Sequence, residues 1–338
     1  MSNHPKIGVV AIGRNEGARL KKCLDSIIKE TNFADFIVYV DSGSTDNSLE
    51  IARSLEVETV ELDSSIPFTA ARARNAGFDR LLEMSPELEF IQFVDGDCEL
   101  APGWLEKAVE VFQSNSQVGV VCGRRREQFP QASVYNLLCE LEWDIPSGEV
   151  KSSTGDALMR VTAFKEVNGY NPAIIAGEDP ELCIRLRQKD WKILRLDTDM
   201  TYHDAEITRF SQWWKRALRN GYAYAEGAWM YGDSSEKHWV RESRRVWLWG
   251  FWIPAFCLIG FWFVGGWSLL LLIGYPLQLA KTFRFYQTYC WSWRENFLYS
   301  SFCVLAKFPE LIGQIRFHRN RLLGYQSVLI EYKTSASL

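Results

Sequence analysis

The sequence has little that would crosslink the chain, bind nucleic acid or direct it to secretion. Its eight cysteines include no C-x-x-C pair and no regular spacing, which argues against a disulfide framework and against a zinc site. The formal net charge is only −4, so no nucleic-acid partner is expected. The first apolar run, residues 7–12, is too short for a signal peptide, and none is expected. These absences leave a folded chain with reduced thiols as the expectation.

Charge is absent from residues 246–280, a run of 35 positions without Asp, Glu, Lys or Arg. The run predicts two membrane segments, 246–263 and 266–283, that turn at Gly265-Gly266, although each arm is also short enough for a re-entrant hairpin. Arg241, Arg244 and Arg245 flank one end, and Lys281 and Arg284 flank the other. Both ends are therefore expected in the cytoplasm, with the chain attached to the plasma (inner) membrane.

Short apolar runs alternate with helical patterns in the first part of the chain. Strands are expected at residues 7–12, 36–40, 57–62, 90–94 and 118–122, with helices between them. Strands that are nearly all apolar predict an α/β fold, with a mixed, mainly parallel sheet and helices on both faces. In such sheets ligands bind at the carboxyl ends of the strands. Asp41 and the pair Asp95 and Asp97 follow strands, so we expect them to face one crevice.

The strand at 90–94 leads directly into Asp95-Gly96-Asp97. Carboxylate oxygens suit Mg²⁺ and Mn²⁺, and a glycine between them would let a large ligand approach the backbone. The alternative is a polar turn, because Asp-Gly is a common turn dipeptide. The position at a strand end, shared with Asp41, favours the functional interpretation.

Six motifs occur in the order of one known family. They are Val9-Val-Ala-Ile-Gly-Arg-Asn-Glu16, Val40-Asp-Ser-Gly-Ser-Thr-Asp46, Ala73-Arg-Asn-Ala-Gly77, Val94-Asp-Gly-Asp97, residues 155–170 and Gly177-Glu-Asp-Pro-Glu-Leu-Cys-Ile-Arg-Leu186. With them, residues 1–232 resemble the inverting glycosyltransferases of family 2, which have the GT-A fold. The resemblance extends to bacterial enzymes of exopolysaccharide and cell-wall synthesis.

The resemblance implies a UDP- or GDP-sugar donor and a divalent cation, Mn²⁺ or Mg²⁺. It implies that Asp97, assisted by Asp95, holds the cation, and that His203 is a third ligand, as a histidine is in several relatives. A cation there would offset the negative charge that builds on the diphosphate. Two alternatives stay open: Asp95 could bind ribose, and His203 could be structural.

The remaining nucleotide-sugar candidates surround that site. The resemblance implies that Asp41 contacts the nucleobase, and the alternative is a role in a turn or helix cap. Arg74 would contact a phosphate or the base, or else be an exposed helix charge. Arg14 and Glu16 would line the cleft or simply be solvated. Ala11 and Gly96 complete this set.

Asp179 is the candidate general base, because an inverting transfer needs a carboxylate that takes the proton of the acceptor hydroxyl. It precedes Pro180 at a predicted helix start, where the helix dipole would keep it ionised. Glu178 would orient the acceptor. The alternative is that Glu178 or Asp179 only caps the helix.

Acceptor-side contacts are expected from Asp156, in the segment 155–170, and from a helix over residues 211–231. That helix carries Trp213, Trp214 and Arg216, and it resembles the interfacial helix of membrane synthases. The order departs from the Q-x-x-R-W pattern of those enzymes. Aromatic and basic side chains that rest on anionic lipid explain it equally well.

We therefore expect three regions: a GT-A catalytic domain (1–232), a membrane-attached helical hairpin (233–295), and an amphipathic interfacial segment with a loose tail (296–338). The expected reaction moves a sugar to a hydroxyl of a lipid-linked or glycan acceptor for polysaccharide or glycolipid synthesis, and a homo-oligomer is compatible with it. One rival is a polyprenyl-phosphate glycosyltransferase similar to dolichol-phosphate mannose synthase. The rival from another class is a non-catalytic GT-A-like scaffold.

Overall fold

The computed structural model describes residues 5–30, 34–325 and 330–331, so the predicted loose tail at 333–338 lies outside the described residues. Two compact units are present: residues 1–132 with 142–206, and residues 133–141 with 207–338. The predicted boundaries at 232 and 295 remain proposals. The helix at 210–231, which the first predicted domain included, belongs to the second unit.

A mixed sheet forms the centre of the first unit, in the order β3-β2-β1-β4-β8-β6-β9-β5, with β7 paired to β9. Its strands are β1 (Ile7–Gly13), β2 (Phe36–Asp41), β3 (Glu58–Glu61), β4 (Phe90–Asp95), β5 (Cys98–Leu100), β6 (Val118–Glu127), β7 (Gly148–Glu149), β8 (Ala157–Arg160) and β9 (Lys192–His203). The helices that accompany it are α1 (Ala18–Lys29), α2 (Ser48–Ser54), α3 (Ala70–Met84), α4 (Trp104–Ser114), α6 (Val161–Glu166) and α7 (Glu178–Arg187).

The parallel half of the sheet brings the predicted carboxylates to one edge. β1 lies between β2 and β4 and runs parallel to both. In register, Gly13 lies opposite Asp41, and Ile12 lies opposite Asp95. The two aspartates therefore flank the carboxyl end of β1, which confirms the predicted common edge.

The other half of the sheet contains antiparallel pairs, and the apolar pattern did not predict its short strand β5. β8 is antiparallel to both β4 and β6, and the three-residue strand β5 pairs with the far end of β9. Strand β9 runs from Lys192 to His203, and the predicted strand at 118–122 continues to Glu127. Cys98 lies opposite His203 in this pairing, so the end of β9 reaches the loop that carries Asp97.

The second unit is helical. It contains most of α5 (Val134–Trp143), followed by α8 (Phe210–Tyr231), α9 (Val240–Trp247), a π-helical turn (Leu248–Trp252), α10 (Ile253–Val264), a 3₁₀ segment (Gly265–Ile273), α11 (Gly274–Tyr286), α12 (Trp293–Leu305) and α13 (Lys307–Leu323).

Helices α8 and α13 pack with their backbones in close contact. A Cβ atom on Gly221 would lie 2.0 Å from the carbonyl oxygen of Glu310, and one on Gly313 would lie 2.1 Å from that of Leu218. Only glycine fits at either position. One face of α13, including Leu311 and Phe317, is buried, while Ile312 and Ile315 on the same helix are exposed. This packing explains why α13 carries an amphipathic pattern.

The uncharged run folds back on itself. Ser268 Oγ donates a hydrogen bond to the carbonyl of Cys257 at 2.9 Å, and Tyr275 Oη donates one to the carbonyl of Trp249 at 2.6 Å. Both pairs have nearly the same midpoint in sequence, as antiparallel arms require. Gly265, where the chain turns, has φ +60°. The predicted turn is therefore confirmed.

By length and composition, the helical stretch Val240–Tyr286 could cross a membrane. Its mean hydropathy is 2.2 in the most apolar window, and only 11% of that window is buried. Trp262 and Phe263 near the turn are 87% and 82% exposed. The core helix of a soluble protein would bury such side chains, so this stretch differs from the helices of the first unit.

Candidate active site

Asp95, at the carboxyl end of β4, is held between two guanidinium groups. Arg74 on α3 donates to Asp95 Oδ1 at 2.8 Å, and Arg125 on β6 donates to Asp95 Oδ2 at 2.7 Å. Burial raises the pKa of the Asp95 carboxyl, but the two arginines outweigh burial and hold it below its ordinary value. Both oxygens of Asp95 therefore already face cations of the chain.

Arg74 connects Asp95 to the predicted base. Its other terminal nitrogen donates to Glu178 at 2.9 Å and lies 3.7 Å from the carboxylate of Asp179. The side chain is only 2% exposed, and its guanidinium lies over the ring of Tyr170. The alternative of an exposed helix charge is therefore wrong for Arg74. Its direct contact with donor phosphate stays a prediction.

Asp179 lies in the first turn of α7. The residue that caps this helix is Gly177, with φ +84° and no side-chain cap bond, so neither Glu178 nor Asp179 has the alternative capping role. Tyr170 Oη donates to Asp179 Oδ1 at 3.1 Å. Burial raises the pKa of Asp179 to about 7; Glu178 and Asp95 raise it too, while Arg74 and the tyrosine hydroxyl oppose them.

The raised pKa corrects the expectation that the helix dipole keeps Asp179 ionised. Burial outweighs the dipole, and both protonation states are present near pH 7. A carboxyl group with a pKa near the working pH is suited to proton transfer in a way that a fully ionised surface aspartate is not.

Asp156, predicted to contact an acceptor, is instead a fully buried support for Asp95. Its Oδ1 accepts the backbone N–H of Asp95 at 3.0 Å, and its Oδ2 accepts the Thr201 hydroxyl at 2.7 Å. Arg125 Nε lies 3.1 Å from Oδ2. Because the side chain is 0% exposed, the predicted acceptor contact is wrong.

Asp97 and His203 come together across the pairing of β5 with β9. His203 Nε2 lies 3.4 Å from Asp97 Oδ2, and His203 Nδ1 lies 3.4 Å from Glu127 Oε2 on the opposite side of the ring. Glu127 also accepts the backbone N–H groups of Phe129 and Ala205, each at 3.2 Å. Glu127 is therefore fixed, and it orients the imidazole so that Nε2 points to Asp97.

The donor set of Asp97 and His203 fits a divalent cation. An oxygen and an imidazole nitrogen on one side of a cleft are ligands that Mn²⁺ accepts, and a carboxylate behind the histidine is the usual outer support of a metal-bound imidazole. Cys98 lies beside them, but burial raises the pKa of its thiol well above the ordinary value, so it remains protonated.

Asp95, Cys98 and Asp156 form a second cluster of ligand atoms, but Arg125 already lies within it. Its guanidinium supplies the positive charge that a metal ion would bring. The geometry therefore favours Asp97 and His203 over Asp95 as metal ligands.

Asp41 is 2% exposed and forms a turn with the loop that follows β2. Its carboxylate accepts the backbone N–H groups of Gly43 at 2.9 Å and Ser44 at 2.7 Å, as well as the hydroxyl of Tyr39 at 3.0 Å. The turn role that we kept as an alternative is thus present. The contact with a nucleobase stays a prediction.

The loop after β1 contains the other nucleotide candidates. Arg14 is exposed and lies over the ring of Phe68, while Glu16 pairs with Arg19 at 2.9 Å. Ala11 is 0% exposed within β1 and is flanked by β2 and β4, so a direct contact from its side chain to a nucleotide is wrong. Gly96 is buried, and a Cβ there would lie 3.0 Å from the Ile12 carbonyl. Packing against β1, rather than ligand approach, requires this glycine.

Trp213, Trp214 and Arg216 lie on α8, within the second unit. Trp213 is 6% exposed and its ring contacts Phe302 edge to face, with the centroids 4.8 Å apart. This burial contradicts the expectation that Trp213 touches an acceptor. Trp214 and Arg216 are half-buried, and their predicted contacts stay predictions.

Three residues of the first-unit site were not predicted: Arg125, Glu127 and Tyr170. A signal existed for the first two. Arg125 and Glu127 stand two positions apart at the end of a strand, so they point to the same side of the sheet. Opposite charges at alternate positions directly after the apolar run 118–122 indicate a polar site at the end of that strand.

Comparison with known proteins agrees with this geometry. Residues 9–149 match the family model described as "Glycosyl transferase family 2". The chain is 23% identical over 328 residues to the O-antigen chain rhamnosyltransferase RfbN of Salmonella typhimurium, covering 88% of this chain and 98% of that one. It is 28% identical over 184 residues to the succinoglycan biosynthesis protein ExoA of Rhizobium meliloti, covering 49% of this chain and 53% of that one.

Among solved structures, the fold is similar to the mannosyltransferase PcManGT from Pyrobaculum calidifontis, determined in complex with GDP-Man and Mn²⁺. The TM-score is 0.55 and the identity is 17%, over 96% of this chain and 88% of that one. At this identity the similarity shows the fold alone. The chain therefore has the GT-A fold, and its residues 9–149 match glycosyltransferase family 2.

Proposed function

We propose that this chain transfers a sugar, with inversion, from a UDP- or GDP-sugar to a hydroxyl group of a lipid-linked acceptor. The observation that carries the proposal is one network of ion pairs. Arg74 connects Asp95, at the carboxyl end of β4, to Glu178 and Asp179 at the start of α7. One buried arginine thus holds Asp179, which is suited to proton transfer, at a fixed distance from the strand end where the donor would bind.

In the proposed reaction, the acceptor oxygen forms a bond to the anomeric carbon while the bond from that carbon to the diphosphate oxygen breaks. The acceptor proton passes to the carboxylate of Asp179, and the bonding electrons leave with the diphosphate. Arg74 and Tyr170 hold Asp179 in place, and Glu178 keeps Arg74 paired. Asp179 must be ionised to accept the proton, so the rate should rise as pH increases through about 7.

Asp97 and His203 would hold Mn²⁺ or Mg²⁺, with Glu127 behind the histidine. When bound there, the cation would offset the negative charge that develops on the diphosphate. The Mn²⁺ and GDP-Man in the similar mannosyltransferase structure support this choice of cation and of donor class.

Attachment to the inner membrane is part of the proposal. It is supported by the antiparallel arms around Gly265 and by their exposed apolar side chains. Each predicted arm has 18 residues and would extend about 27 Å as an α-helix, close to the roughly 30 Å of a bilayer core. Cations at both ends support a cytoplasmic location for both ends, where the catalytic unit would work. The relatives named for O-antigen and succinoglycan synthesis support a polysaccharide product.

The test is a screen of nucleoside-diphosphate sugars, including rhamnose and mannose donors, for hydrolysis and for protection against thermal unfolding. Each donor is tried with and without Mn²⁺ on the full chain in detergent. We expect at least one donor to be hydrolysed slowly and to raise Tm in the presence of Mn²⁺. If no nucleotide sugar is hydrolysed or raises Tm, the proposal is wrong.

Acceptor chemistry is tested with Asp179→Asn. A hydroxyl acceptor needs a base, whereas a polyprenyl-phosphate acceptor is already ionised and needs none. Loss of transfer with retained donor binding supports the hydroxyl acceptor. Nearly full transfer by the variant would favour the phosphate acceptor instead.

A further inference from the structure

A pocket of about 440 Å³ opens on the second unit at the beginning of α9. Four of the side chains that line it are cationic, and the transferase chemistry above uses none of them. The lining includes Lys237, Arg241, Arg244, Arg245, Glu236 and Leu248. A concentration of cations on a chain whose net charge is −4 calls for a physical reason.

The cations share one face of a helical stretch. Arg241, Arg244 and Leu248 are spaced by three and four residues, so they project to the same side. Among the described residues, no carboxylate oxygen lies within 4.0 Å of the cationic groups of Lys237, Arg241, Arg244 or Arg245. Four cations against the one carboxylate of Glu236 give the pocket lining a net positive charge, and the resulting potential attracts a multiply charged anion.

Apolar surface adjoins the cations directly. Leu248 lines the pocket and is 45% exposed, and it lies near the start of the uncharged run. On the next two turns Trp252 and Phe256 are 46% and 54% exposed and stack on each other. A ligand that matches both surfaces carries phosphate at one end and hydrocarbon next to it.

We propose that the pocket lined by Lys237, Arg241, Arg244 and Arg245 binds the phosphate group of a lipid, whose hydrocarbon lies along the exposed apolar residues that begin at Leu248. Two lipids share this chemistry: an anionic phospholipid of the bilayer, and an isoprenoid diphosphate of the kind that carries a glycan acceptor. The site rests on the membrane attachment proposed above, but it does not depend on the transfer chemistry.

The test compares two variants of the full chain in nonionic detergent. Arg241→Gln with Arg244→Gln removes two exposed cations from the pocket. Lys281→Gln with Arg284→Gln is the matched control, because it removes two exposed cations from the other end of the same uncharged run. Microscale thermophoresis measures the affinity for short-chain phosphatidylglycerol, phosphatidylcholine, farnesyl diphosphate and inorganic pyrophosphate.

We expect phosphatidylglycerol or farnesyl diphosphate to bind at least tenfold more tightly than phosphatidylcholine. The pocket variant should lower that affinity about 30-fold, because each of the two removed cations contributes roughly a fivefold factor to the binding of a lipid phosphate. The control variant should change it less than threefold. Inorganic pyrophosphate should bind more weakly than farnesyl diphosphate, because it lacks the hydrocarbon.

The two lipid arms identify the source of the phosphate. Tighter binding of farnesyl diphosphate assigns the pocket to an acceptor lipid, and tighter binding of phosphatidylglycerol assigns it to the bilayer. The inference is overturned if the pocket variant binds both lipids as tightly as the control, or if neither lipid binds better than phosphatidylcholine. Because binding is measured without donor, this failure is distinct from a failure of the transferase proposal.

Discussion

The two units depart from ordinary burial in opposite ways. The first unit buries charge: Arg74 is 2% exposed, Asp156 is 0% exposed and Arg125 is 9% exposed. The second unit exposes apolar surface, with Trp262 at 87% and Phe263 at 82%. Charged side chains are rarely buried without partners, and large apolar patches are rarely left in water. Each departure coincides with a function that we propose: donor chemistry in the first unit and lipid contact in the second.

The difference teaches where each unit should be sensitive. Buried ion pairs contribute little net stability but are costly to break, so changes in the first unit should alter both chemistry and folding. Exposed apolar side chains contribute little to folding in solution, so changes to those side chains of the second unit should alter membrane contact alone. The predictions below test this contrast, from the largest expected effect to the smallest.

The largest effect is expected at Asp97. Asp97→Asn should lower transfer on the order of 10³-fold, because it removes a charged ligand where negative charge must be offset. Binding of Mn²⁺, followed by the loss of its free electron paramagnetic resonance signal, should weaken in parallel. Glu99→Gln is the matched control, since Glu99 lies two residues further on and is bonded to Gln128. Transfer within tenfold of wild type would contradict the role of Asp97.

Asp179→Asn should lower transfer by roughly 10²- to 10³-fold. In the wild type, kcat/KM should rise with pH and level off above about 7, the pKa of Asp179, and the residual activity of the variant should lack this dependence. Tyr170→Phe should move the midpoint to higher pH, because the tyrosine hydroxyl lowers the pKa of Asp179. A midpoint that stays in place in Tyr170→Phe would show that another group titrates.

Rising pH should lower stability through the ionisation of Asp179, although it raises activity. The folded-state pKa of Asp179 is raised above its ordinary value of 3.8, so the folded chain binds the proton more tightly than the unfolded chain. The free energy of unfolding should therefore fall as pH rises from about 4 to about 7. Asp179→Asn removes this loss, and its Tm should exceed that of the wild type at pH 8 but not at pH 4.

How far the sequence predicts the fold depends on how apolar each strand is. The strands β1, β2 and β4 are buried on both faces, and their apolar runs marked them within a residue or two. The extensions of β6 to Glu127 and of β9 to His203 contain charged residues at the carboxyl ends of these strands. Alternation of apolar residues is lost there, so the pattern could not reveal β5 or its pairing.

The residues of the candidate site also differ in how far the sequence predicts them. Asp95, Asp97, Asp179 and His203 could be found because they follow strands or begin a helix, positions that have a known relation to ligands. The contacts of Asp156 and the packing of Gly96 depend on residues far away in sequence, as with the hydrogen bond from Thr201 to Asp156. No local sequence pattern distinguishes a carboxylate that contacts a ligand from one that only holds other residues of the site in place.

Glu127→Gln should have a smaller effect, a 10- to 100-fold loss of Mn²⁺ affinity. Glutamine keeps an acceptor for Phe129 N–H or Ala205 N–H but removes the negative charge beside His203 Nδ1. Transfer at saturating Mn²⁺ should recover to within a few-fold of wild type, and Glu127→Asp should restore part of the affinity. An unchanged Mn²⁺ affinity with a lowered Tm would reduce Glu127 to a purely structural group.

The smallest effect on folding is expected at the turn between the apolar arms. Trp262→Ser with Phe263→Ser should change the free energy of unfolding in detergent by less than about 0.5 kcal/mol per residue, because both side chains are more than four-fifths exposed.

Phe164→Ala is the contrasting variant in the first unit. Its side chain is 1% exposed among Phe78, Phe93 and Tyr170, and its loss should cost roughly 3–5 kcal/mol. The order of the two effects should reverse in binding to phosphatidylglycerol vesicles. The serine variant should bind the vesicles more weakly than the wild type, whereas any folded Phe164→Ala protein should bind them as the wild type does. Equal destabilisation by both variants would mean that the apolar arms are packed as a core, and the contrast between the two units would then fail.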